Sequence, residues 1–171
     1  DLILVTGNNG SALGVVTGLS GTNKIQFANN DLLGFNLAGS GGTFRNITTP
    51  ASLVRVNMIT YYVTADGILV RREYANQPPP GAAFIDEPLV YGVEDFQVQY
   101  VMDNGTLLDN PGAGPNGIPG DADDDLTNLA AIRQVRVTIS ARTVELDSRG
   151  QPVQVTETTT FSTRNLGYDA T

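Results

Sequence analysis

The stretch that most constrains the fold is residues 132–166, IRQVRVTISARTVELDSRGQPVQVTETTTFSTRNL. Val135, Val137, Ile139 and Ala141 alternate with Arg136, Thr138, Ser140 and Arg142. Successive side chains of a strand point to opposite faces, so this repeat of two predicts a strand with one face covered. Residues 147–152, DSRGQP, form a turn cluster, after which Val153, Val155, Thr159 and Phe161 line one face of a returning strand. The rest of the chain reads as sheet assembled around this hairpin.

Composition agrees. A length of 171 residues fits one domain, residues 1–171, with enough chain to bury a core. The 19 glycines and 9 prolines suit short strands joined by turns and long loops. Runs of Ala, Leu, Glu and Lys that would make long helices are absent.

The net charge is −8 and Lys24 is the only lysine. Nucleic-acid affinity comes mostly from cations that neutralise phosphates, so no nucleic-acid partner is expected. Binding to anionic lipid through a basic patch is disfavoured for the same reason. With no Cys and no His, disulfides, standard zinc sites, Ser-His-Asp triads and Cys-His dyads are excluded. The opening DLILVTG has no initiator Met, no signal peptide and no apolar run of membrane-spanning length. It reads as the start of a processed or trimmed chain.

Earlier elements follow from the same pattern. Residues 1–6 and 14–17 are short apolar runs separated by GNNGSAL, and KIQFA (24–28) alternates Ile25 and Phe27 with polar neighbours. Residues 53–64 read as the longest uninterrupted strand, and Asp66-Gly67 is a hairpin signal between it and ILVRREY, 68–74. NQPPPGAA (76–83) is a surface loop, because prolines cannot donate to a ladder. Residues 89–102 return to strand, with Val93, Phe96, Val98 and Tyr100 as its buried set. Residues 103–125 form a long irregular loop, and Asp125 is placed to cap a short helix over 126–132.

That loop holds the best candidate metal site. Asp103, Asn104, Asp109, Asp121, Asp123, Asp124 and Asp125 offer hard oxygen ligands of the kind calcium takes. The spacing is not that of an EF-hand, since Leu126 stands where the loop glycine belongs. Asp/Asn/Gly-rich loops also serve simply as solvated turns. Glu94-Asp95 and Asp86-Glu87 are paired carboxylates, but strand neighbours point to opposite faces and would not act on one bond. Tyr61, Tyr62, Tyr74, Tyr91 and Tyr100 fit core and cross-strand packing better than a sugar platform, as Trp is absent. Arg136 and Arg142 flank strands as polar-face charges, with docking of a partner as their alternative use.

Three segments, in order, carry a family resemblance: VRVNMITYYVTADGILVRREY (54–74), LVYGVEDFQVQYVMDNG (89–105), and 129–166 with AIRQVRVTISAR and ETTTFSTRNL. Together they resemble the periplasmic part of PilW-like minor pilins of bacterial type IV pili, and the related J-type minor pseudopilins of type II secretion. The resemblance covers roughly the C-terminal two-thirds. That family begins with a leader, a cleavage site and an apolar helix of about one bilayer span. None of these is in the sequence, and neither is the helical glutamate used in subunit docking, so no functional residue carries over.

The resemblance implies an α+β fold, predominantly antiparallel β, in which a pilin-like head carries one short helix and the N-terminal transmembrane helix is missing. It implies a structural subunit and not an enzyme, anchored in the inner membrane by the missing helix, with its head in the periplasm and later on the fibre at the cell surface. Its partners would be other minor pilins or pseudopilins and the major pilin, in a complex that primes fibre assembly and caps the tip. The reading from a different class is a calcium-dependent adhesive or carbohydrate-binding β-sandwich.

Overall fold

β1 (Leu2–Gly7) is an apolar strand that Asn8-Asn9 turns straight back into β2 (Gly10–Val15). The computed structural model describes residues 1–29, 31–74, 81–114, 116–118, 123–124 and 126–163. Contacts divide the chain into two units, Asp1–Tyr62 with Leu69–Leu89, and Val63–Ile68 with Val90–Thr171.

In the first unit, β5 (Ala51–Arg55) pairs on the other side of β1, giving the antiparallel order β2-β1-β5. As the central strand, β1 buries Leu2, Ile3 and Val5. A small ladder joins β3 (Gly18–Ser20) to β4 (Lys24–Gln26). Residues 31–50 then fold back over β2. Buried Asn36 fastens them: its Oδ1 accepts from Val15 N at 3.0 Å, and its Nδ2 donates to Val15 O at 2.7 Å and Ala28 O at 3.0 Å. Phe44 packs at a tilt against Phe27, ring centres 4.7 Å apart, and fills the space over Gly14, where a Cβ would clash with its ring.

The pattern predicts one strand over 53–64, and the structure corrects this. β5 ends at Arg55 and β6 (Met58–Val63) starts after Asn57, in a different sheet. Val56 N still donates to Leu2 O at 3.0 Å, the last rung of the first ladder. The apolar alternation of 54, 56 and 58 runs on across the break, which hides it from periodicity. β6, β7 (Ile68–Tyr74) and β8 (Phe84–Tyr91) form a sheet in the order β6-β7-β8.

The second unit contains the closing hairpin. β9 (Val93–Met102), β10 (Leu107–Leu108), β11 (Ile132–Leu146) and β12 (Pro152–Ser162) form an antiparallel sheet in the order β10-β9-β11-β12. The predicted strand over 89–102 is split at Gly92, whose φ of +74° turns the chain between β8 and β9. The expected Asp66-Gly67 turn is present: Gly67 N donates to Thr64 O at 3.0 Å, and Gly67 O accepts from Val93 N at 2.8 Å. Val93, Met102 and Ile132 are the buried apolar residues here.

The expected helix at 126–132 is a 3-10 helix, Leu126–Ala131, and Ile132 already begins β11. Its intended cap, Asp125, lies outside the described residues. The described residues are therefore mostly antiparallel strand in four sheets, and the one short helix expected of the α+β fold is a 3-10 helix rather than an α-helix.

Candidate functional site

The β9-β11-β12 register sorts side chains into two unlike faces. Directly opposed residues share a face, so Tyr100, Val135 and Phe161 form one row, and Val98, Val137 and Thr159 the next. Phe96, Ile139 and Glu157 follow, then Val93, Ala141 and Val155. Glu157 is the one charge in this array. The opposite face carries Gln99, Arg136 and Thr160, then Gln97, Thr138 and Thr158, then Asp95, Ser140 and Thr156. Its hydroxyls pair across the strands, Thr138 with Thr158 at 3.0 Å and Ser140 with Thr156 at 2.7 Å.

The apolar face is not closed off. Val93 is buried, but Phe96, Val98 and Tyr100 on β9, and Val135, Val137 and Ile139 on β11, are only half-buried. On β12, Val153, Val155 and Phe161 are 48%, 52% and 56% exposed. Burying apolar surface yields roughly 25 cal/mol per Å². A β-branched and aromatic array left this open is thus suited to being covered by another apolar surface.

One end of the sheet is shaped by a bulge. Ser140 opposes Asp95 but Ala141 opposes Val93, so Glu94 is an extra residue on β9. It accepts from Arg142 Nε at 3.0 Å and from Gln154 Nε2 at 3.1 Å, tying β9, β11 and β12 together. Beside it lies an open depression of about 480 Å³ lined by Tyr91, Arg142, Glu145, Val153 and Val155 among others. Arg142, one of the two arginines considered for partner docking, is thus at the rim and 58% exposed. Arg136, the other, is half-buried in the polar face between Thr160 and Gln99. The sheet does not bring the two together in one row.

The candidate metal ligands are spread out. Asp103 faces Arg133 at 3.9 Å, Asn104 Oδ1 accepts from Thr106 N at 2.9 Å, and Asp109 Oδ1 accepts from Gln99 Nε2 at 3.1 Å. Asp123 packs its backbone against Gly114, and Asp124 lines a small depression with Tyr100, Pro111 and Leu129. Asp121 and Asp125 lie outside the described residues. Among the described residues, no three acidic side chains gather as a metal would need.

The periodic pattern missed a polar knot on the β6-β7-β8 sheet of the first unit. Asp86 on β8 takes Arg72 of β7 bidentately, with Nε and Nη2 both at 2.7 Å. Arg72 Nη2 also donates to Tyr62 OH of β6 at 2.9 Å, and that hydroxyl donates to Asp86 Oδ2 at 3.1 Å. The guanidinium lies 3.6 Å from the Phe84 ring centre, and Phe84 meets Tyr74 edge-on at 6.0 Å.

Hydrogen bonds from Arg72, then from Tyr62, hold the Asp86 carboxyl below its ordinary pKa. Loss of solvent, then the bond to Asp86, pushes the Tyr62 phenol up. Each charge is satisfied by its neighbours, and the knot ties the three strands together. Asp86 and Glu87 do part to opposite faces as the strand repeat requires: Glu87 lies 3.5 Å from Arg71, which also bonds Glu73 at 2.9 Å.

The tyrosines expected in core and cross-strand packing divide into two groups. Tyr61 and Tyr91 are 51% and 65% exposed, while Tyr62, Tyr74 and Tyr100 are half-buried in cross-strand contacts. Comparison of the chain with protein-family models, with characterised proteins and with solved structures gives no match.

Proposed function

We propose that this chain is the β-rich head of a minor pilin, a structural subunit of a bacterial type IV pilus that helps to prime fibre assembly and sits at its tip. The observation that carries the reading is the half-exposed apolar face of the β9-β11-β12 sheet, centred on Val98, Val137 and Ile139. An apolar helix is a natural cover for a β-branched sheet face, since layers of secondary structure bury such faces against each other. The family resemblance in 54–74, 89–105 and 129–166 supplies a helix of that character.

The ion pairs within each unit support a structural role as well. Arg72 with Asp86, and Arg142 with Glu94, are engaged in strand-to-strand bonds. No described helix is long and apolar enough to cross a membrane. The resemblance is what assigns the anchor to the family's N-terminal helix, with the head in the periplasm. Its partners are sibling minor pilins and the major pilin.

Deleting the gene in the source bacterium tests this. Loss of surface fibres with protein secretion intact supports a minor pilin. Loss of type II secretion with fibres intact transfers the same head to a minor pseudopilin. Normal fibres together with normal secretion overturn both.

A further inference from the structure

We infer that the outer edge of β12 pairs antiparallel with β12 of a second copy of this chain, about a two-fold axis at Thr158. β12 ends its sheet, all eleven of its residues are exposed, and among the described residues no strand lies beyond it. Exposed edges of this length are normally blunted by charge, proline or shortness. The opposite edge strand, β10, is two residues long, and the edge strand β8 carries Asp86, Glu87 and Pro88. From Val153 to Ser162, β12 has no Pro, Lys or Arg and one charge, Glu157.

The backbone fixes which residues are free to pair. Thr163 N donates to Arg133 O at 3.0 Å, and the register continues unbroken from Gln134↔Ser162 to Arg142↔Gln154. Amide groups alternate sides along a strand, so odd residues 155–163 point theirs at β11 and even residues 154–162 point theirs outward. A two-fold axis at Thr158 joins outward groups only: Thr158 with Thr158, Thr156 with Thr160, and Gln154 with Ser162 of the second copy.

Side chains select this register over its neighbours. It sets Val155 opposite Phe161 of the second copy, and Glu157 opposite Thr159. Moving the axis to residue 157 would put the two Glu157 carboxylates face to face, a destabilising arrangement. Moving it to 159 would oppose Glu157 and Phe161. The axis stands perpendicular to the sheet, so both apolar faces lie on the same side of one eight-stranded sheet. Phe161 and Val155, each more than half exposed in the single chain, then pack across the join. The inference is independent of the fibre reading, because it concerns the isolated chain alone.

The test uses sedimentation equilibrium and single-cysteine crosslinking in a chain that has no cysteine of its own. An interface this small is expected to dimerise on the order of micromolar or weaker. Thr158→Lys, at an exposed position, should keep the native far-UV spectrum and weaken the dimer by roughly tenfold or more. Among Glu157→Cys, Thr158→Cys and Thr159→Cys, the Thr158 variant should form an intermolecular disulfide fastest, since opposed residues of a hydrogen-bonded pair stand about 5.5 Å apart. A chain that stays monomeric at all concentrations, or one that crosslinks fastest at 157 or 159, overturns the inference.

Discussion

Replacing Gly92 with alanine tests the geometry on which the apolar face depends. Gly92 sits at φ +74°, and a Cβ there would clash with Arg142 O. An L-residue in this left-handed conformation costs about 1–2 kcal/mol. The clash must also push β9 away from β11, weakening the 2.8 Å bond from Arg142 N to Gly92 O, a further contribution of roughly 0.5–1.5 kcal/mol. The total is about 1.5–3.5 kcal/mol, and it falls on β9 and β11.

Gly150→Ala is the matched control. Its φ is also +74°, but nothing lies within 4 Å of the added carbon, so only the conformational cost applies. Native-state hydrogen exchange of β9 and β11 amides gives the opening free energy directly. Gly92→Ala should lower it by about 0.5–1.5 kcal/mol more than Gly150→Ala does. Equal effects of the two variants would refute the close approach of Gly92 to Arg142, and with it the bulge that aligns Val93 with Ala141.

Asn36→Ala strands the Val15 amide, the Val15 carbonyl and the Ala28 carbonyl without their partner. It should cost about 2–4 kcal/mol, read as an unfolding midpoint in urea; a loss below about 0.5 kcal/mol would show that water replaces the side chain freely. Asp86 makes stability depend on pH with a defined sign. Its native pKa is held below the unfolded value, so its contribution is complete above the ordinary carboxyl range and is lost as pH falls through the lowered native pKa. Asp86→Asn should flatten the stability profile in that acid window, by a small amount because the pair is partly exposed; an unchanged profile counts against the Arg72 bond. Millimolar calcium should leave the melting temperature unmoved, since Asp103, Asn104 and Asp109 already hold protein partners, and a rise of several degrees would place a site on that loop.

Much of the second unit is legible in the sequence because its code is local. The repeat of two from Val135 to Ala141 gives β11 and its faces directly, and DSRGQP gives the hairpin. Gly92 is harder to read, since a glycine between Tyr91 and Val93 leaves the apolar run intact and only its positive φ reveals the break. The separation of β5 from β6 is likewise invisible, because periodicity records which side a residue faces and not which sheet it joins.

The core expected on β9 is only partly there. Alternation places Phe96, Val98 and Tyr100 on one side, but whether that side is covered depends on what else packs against it. The knot of Arg72, Asp86, Tyr62 and Phe84 could have been suspected from an arginine and an aspartate in facing apolar strands. Its register needed the fold.

Radical footprinting of Val98, Val137, Ile139 and Phe161 tests the central claim, that the apolar face of the β9-β11-β12 sheet is covered in the working assembly. The isolated chain is compared with the protein in fibres or complexes drawn from the source bacterium. The account predicts that these four residues are labelled in the isolated chain, diluted until it is monomeric, and deeply protected in the assembly, with the exposed Leu19 labelled equally in both. Equal labelling of the four residues in both states would contradict it.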